Sequence, residues 1–127
     1  MRKNEFKLIP KKKNSKLTRM IEPTKLDELI EEAIVDCYNE SEQLMGFYTM
    51  IEDHLAVPFK TEVLGVEVTV EKVDLTRADE IVAICVRERA RQAIPILELP
   101  LPEPPPEGFE WIEAYRRWVR QATGDTE

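Results

Sequence analysis

Apolar side chains at Leu26, Leu29, Ile30, Ala33, Ile34 and Cys37 fall three and four residues apart, one stripe of a helix that opens at Pro23-Thr24. Thr24 reads as its cap, with Asp27 in the first turn. The opposite face carries Glu28, Glu31 and Glu32, and Asp36 follows Glu32 at the next turn. The pattern loosens at Asn39-Glu40-Ser41. There Ser41 is placed to cap a second helix, in which Leu44, Phe47, Tyr48, Ile51 and Leu55 repeat at helical spacing until Pro58. The two segments also fit one bent helix. Gly46 costs such a helix about 1 kcal/mol relative to Ala, so its face is expected to lie close against a neighbour.

From Phe59 the period changes to two. Phe59, Thr61 and Val63 alternate first; Val66, Val68, Val70 and Val73 follow, with Glu67, Thr69 and Glu71 facing outward and a turn or bulge at Leu64-Gly65. Leu75 to Asp79 reads as a polar connection, and Ile81 to Val86 as a strand apolar on both faces. Arg87 to Arg91 forms a charged hairpin before a last strand over Ala93–Leu97, which Pro95 confines to an edge or a bulge. Residues 100–106 hold five of the nine prolines and read as a stiff extended connector. Helical spacing returns after Gly108, with Trp111, Ile112, Tyr115, Trp118 and Val119 on one side. The expected fold is α+β: a small SH3-like β barrel or meander of four to five strands, with a helical pair before it and a helix after it.

Charge divides the chain. Residues 1–20 carry eight bases and one acid, a balance of +7, which leaves −14 on the remainder of a chain whose formal net charge is −7. The first segment is expected to be a basic disordered tail, residues 21–122 one domain, and 123–127 a disordered end. Between Ile21 and Leu55 stand ten acids and a single base, Lys25. So acidic a body repels nucleic acid, and only the tail keeps the Lys and Arg that phosphate contacts need. No apolar run approaches the ~18 residues of a membrane span, and no secretory signal is readable, so a cytoplasmic location is expected. Cys37 and Cys85 read as reduced core thiols.

The catalytic motifs are missing: no nucleophile elbow, phosphate loop, dinucleotide fingerprint or H-E-x-x-H is present, and an enzyme is not expected. The single histidine, His54, reads as a surface or capping residue, and one His with two Cys cannot build a zinc site. Oxygen chemistry is left. Asp36, Glu40 and Glu42, followed by Glu52 and Asp53, form a dense carboxylate run that coincides with a break in secondary structure. Calcium takes six to eight oxygens in irregular geometry and suits such a bend, whereas magnesium's stricter octahedron suits it less. The order is not that of an EF-hand.

The run Ile34-Val35-Asp36-Cys37-Tyr38-Asn39-Glu40-Ser41-Glu42, then Gly46-Phe47-Tyr48, Ile51-Glu52 and Pro58-Phe59, resembles the cyanobacterial calcium-binding protein family, which reads V-V-D-A-Y-x-E-E-E, G-W-Y, L-E-E-x-L and P-F in this order. Gly65-Val66-Glu67-Val68-Thr69-Val70, the segment Ala93 to Pro100 and the aromatic end Tyr115 to Val119 continue the match over Thr24 to Val119. The resemblance implies a small acidic protein with helices flanking a compact β barrel, binding calcium without EF-hands as a buffer or sensor. It carries the family's acidic positions onto Asp36, Glu40, Glu42, Glu52 and Asp53. Ser41 departs from the usual acid, and the basic tail is extra. The expected function is therefore non-enzymatic binding of calcium ion at the helix–bend–helix region. The alternative is an interaction module for a protein partner, which keeps the fold without the ion.

Overall fold

The structure is a computed structural model and describes residues 21–124. Among the described residues, three helices pack with one antiparallel sheet. Helix α1 (Pro23–Ile34) and helix α2 (Glu40–His54) precede strands β1 (Phe59–Val63), β2 (Val66–Leu75), β3 (Ile81–Arg87) and β4 (Ala90–Pro95). A short 3-10 turn (Ile96–Glu98) and helix α3 (Phe109–Ala122) complete the order. The sheet order β1-β2-β3-β4 is a simple meander with β1 and β4 at its edges. The fold is thus α+β with four strands, and among the described residues no β1–β4 pairing closes the sheet into a barrel.

Residue chemistry explains most boundaries. Pro23 sits in the first turn of α1, where a missing N–H costs nothing, so the helix starts from Glu22 and the expected Thr24 cap lies inside it. Helix α2 is capped by Asn39 rather than Ser41, which lies inside the helix: Asn39 Oδ1 accepts from the Glu42 N–H at 2.9 Å. The β1–β2 hairpin turns on Leu64 and Gly65, both with positive φ (53° and 78°), and Val63 pairs with Val66 across it. That is the geometry whose twist matches paired strands. A register shift between Val70 and Lys72 bends β2. The last strand starts three residues earlier than expected, at Ala90, since only Glu88 and Arg89 are needed to reverse the chain; it stops at Pro95, where a 3-10 turn takes over.

Phe47, Ile51, Val70, Ile81, Ile96 and Ile112 are fully buried at the centre, where α2 lies between the sheet and α3. Phe47 meets the rings of Tyr115 and Trp118 at 5.5 and 5.1 Å. Gly46 is where α1 and α2 touch: a Cβ there would run into the Ala33 carbonyl oxygen, which accounts for glycine mid-helix. Arg117 holds α3 to α1 through Asp27 at 2.8 Å. The proline-rich connector is tied inward as well as stiff, with Leu99 and Leu101 buried and the Thr61 hydroxyl donating to the Pro100 carbonyl at 2.6 Å. The expected tail at 1–20 lies outside the described residues, as do the last three of the expected disordered end; Thr123 and Gly124 close α3 through N–H bonds to Val119 and Gln121.

Candidate metal centre at the α1–α2 elbow

The helical pair is two helices, broken at residues 35–39. Val35 leaves helical conformation (ψ 134°), Asp36 takes φ 63°, and the Cys37 N–H returns to the Ile34 carbonyl at 2.9 Å. Asp tolerates the left-handed region better than most side chains, so it ends α1 where glycine commonly would. Glu32, Asp36 and Glu40 accordingly do not share one continuous helix face.

Two side chains brace the start of α2. Asn39 Oδ1 accepts from the Glu42 N–H at 2.9 Å, and Glu42 Oε1 accepts from the Tyr38 N–H at 2.7 Å. This reciprocal pair is a close relative of the capping box, shifted outward by one residue. The Cys37 thiol adds a bond to the Glu42 carbonyl at 3.4 Å. Glu42 keeps its second carboxylate oxygen for other partners.

Asp36, Tyr38, Glu42, Met45 and Thr49 line a cleft of about 530 Å³, and Asp79 closes it from the β2–β3 loop. That loop is held by Thr76, whose hydroxyl accepts from the N–H groups of Ala78 (3.2 Å) and Glu80 (3.1 Å), while Asp79, at φ 62°, donates its own N–H to the Thr76 carbonyl. A second hollow of about 350 Å³ adjoins the first between α2 and α3, with Glu40, Ser41, Leu44, Asp79 and Trp118 among its walls. Ser41, Leu44 and Asp79 belong to both.

The electrostatics favour a cation more at one side of this cleft than at the other. Helix α1 has no basic residue in its last turn, so no side-chain cation answers the negative end of its dipole beside Asp36. Helix α2 presents its positive end, which Glu40 and Glu42 in the first turn already answer.

The five carboxylates expected as ligands thus divide. Asp36 and Glu42 line one cleft, Glu40 lines the hollow beside it, and Glu52 and Asp53 lie at the other end of α2. Ten residues of helix separate Glu52 from Glu42, about 15 Å, too far for one coordination sphere. Glu52 instead accepts from the Tyr48 hydroxyl at 3.2 Å. Burial first, then that bond and the negative charges of Glu52 and Asp74, push the Tyr48 hydroxyl above its usual value. Asp79 was missed by sequence reasoning because 43 residues separate it from Asp36 and its loop shows only a polar connection. Among the described residues no three His, Cys, Asp or Glu side chains are already drawn together as a metal cage. His54 is exposed, bonded through Nδ1 to the Met50 carbonyl at 2.9 Å and stacked on Trp111. No helix of the described residues is long and apolar enough to cross a membrane.

The sequence profile of the CcbP-type family, described as calcium binding, matches residues 27–119, most of the chain, and the chain belongs to that family. The fold is similar to the crystal structure of CcbP from Anabaena, with a TM-score of 0.61 at 16% identity over 80% of this chain and 94% of that one. No curated protein matches the chain.

Proposed function

We propose that this protein binds calcium at the α1–α2 elbow, as a buffer or sensor without catalysis, with Asp36, Glu42 and Asp79 as the carboxylate ligands and Glu40 in support. The single observation that carries the reading is the shared cleft: Asp36 and Glu42 from the elbow and Asp79 from the β2–β3 loop line the same cavity beside the end of α1 that no side-chain cation answers. The donors fit the ion. All are hard oxygens, and the Thr49 and Ser41 hydroxyls and the Tyr38 phenol on the same lining are neutral oxygen donors toward a six- to eight-oxygen shell. Among the described residues these carboxylates are not yet gathered into a cage, so binding draws the β2–β3 loop toward the elbow. Calcium then neutralises part of the −14 body charge and stabilises the fold, by about 2.7 kcal/mol at a hundredfold excess over Kd. Glu52 and Asp53 form a separate acidic spot in this account, which attracts cations without holding one.

Isothermal titration of the metal-stripped full chain with calcium, and with magnesium as control, tests the reading. Saturable calcium binding that Asp36→Asn and Asp79→Asn each weaken at least tenfold supports it; heat indistinguishable from dilution up to several millimolar calcium overturns it.

A further inference from the structure

The hollow between α2 and α3 has apolar walls (Leu44, Trp118, Val119 and Ala122) and an acidic rim (Glu40 and Asp79). Trp118 and Val119 are only partly buried although they continue the stripe that carries Trp111, Ile112 and Tyr115 into the core. An apolar floor with a negative rim calls for an occupant with the reverse arrangement, apolar side chains followed by bases. This chain contains one. Phe6, Leu8 and Ile9 are followed by Pro10 and by Lys11, Lys12 and Lys13, within a segment of eight bases and one acid. We propose that residues 6–13 seat in the hollow between α2 and α3 and there compete with calcium for Asp79.

Reach and concentration agree. Asp27, in the second turn of α1, touches Arg117, the neighbour of Trp118, so the chain joins the fold close to the hollow. Residues 14–20 join that segment to the described fold, and a linker of seven residues reaches at most about 25 Å. Tethering at that length gives an effective concentration of millimolar order, so an intrinsic affinity far too weak to hold a free peptide suffices. Three lysines brought against Glu40 and Asp79 also supply the positive charge that calcium otherwise provides. The calcium arm of this inference rests on the proposed function; the docking arm does not.

The test uses the full chain in two forms, with the natural segment and with Lys11→Glu, Lys12→Glu and Lys13→Glu, and a third with Phe6→Ser and Ile9→Ser. Of the two tryptophans, Trp111 is buried in the core and serves as the internal reference, while Trp118 lines the hollow. In amide and indole NMR spectra, docking predicts that Trp118 and Val119 shift in both variants while Trp111 stays in place. It also predicts that calcium binds the lysine variant at least threefold more tightly. Identical Trp118 and Val119 signals in all three chains would overturn the proposal, and so would a Trp118 signal that changes with protein concentration, since that puts a second copy in the hollow. If calcium binds none of the three chains, the calcium reading fails while the Trp118 comparison still decides the docking.

Discussion

The two ends of helix α2 carry similar acids in dissimilar settings. At its start, Asp36 stands where the backbone has left helical conformation and Glu40 and Glu42 stand in the first turn, all lining hollows shared with the Asp79 loop. Near its end, Glu52 and Asp53 stand in the last turn of the helix, where the Leu55 N–H answers the Ile51 carbonyl and the nearest polar partner of Glu52 is a tyrosine hydroxyl. A calcium shell needs more oxygens than two carboxylates hold, and at the start of α2 the cleft adds Asp79 from a second element. The convergence of acids from separate elements on one cleft therefore matters more here than the density of acids along the sequence.

The largest effect is expected from Gly46→Ala. In an isolated helix this change would help by about 1 kcal/mol. Here the new methyl meets the Ala33 carbonyl, so the helices must separate, and overpacking of this kind costs about 3 kcal/mol. Urea denaturation should show the loss, and calcium titration should show the elbow's affinity falling with it, because the two helices frame the cleft. Next in size is the contrast between the two ends of α2. Glu42→Gln keeps the acceptor for the Tyr38 N–H but removes the charge, and should weaken calcium binding at least tenfold, about 1.4 kcal/mol. The double change Glu52→Gln with Asp53→Asn should alter it by less than twofold in the same titration.

A smaller effect separates stability from function at one residue. Asp36 holds φ 63°, so Asp36→Gly should stabilise the calcium-free protein by about 0.5–1 kcal/mol, measured by thermal or urea unfolding, while weakening calcium binding. The smallest concerns the far end of the helix. Tyr48 has a raised pKa through burial and Glu52, so its neutral form is favoured in the fold. Its contribution to stability is complete below the ordinary value of about 10 and is lost as pH rises through the raised one. In Glu52→Gln the absorbance titration of tyrosine should move down in pH, and calcium should leave it unchanged.

Much of the fold was legible because periodicity is a local property. The stripe of α1, the alternation of β2 and the aromatic face of α3 appear in the structure where spacing put them. The Leu64-Gly65 turn and the close approach at Gly46 were readable from single residues. The start of α2 was misplaced for a local reason: Asn39 and Ser41 are both good caps, and Asn39 takes the position once the Asp36 turn has set the chain entering the helix. The site was half legible. Asp36 and Glu42 followed from the coincidence of acids with a break, whereas Asp79 enters through tertiary packing, and the distance between Glu42 and Glu52 appears only once α2 is known to be straight through both.

The most direct test of the account is an amide NMR titration of the metal-stripped full chain with calcium. The account predicts that residues 35–42 and 76–80 shift together with one affinity, while residues 50–55 stay nearly unmoved. Shifts confined to residues 50–55 and their neighbours at Asp74 would contradict it, and would move the calcium site to the other end of the helix.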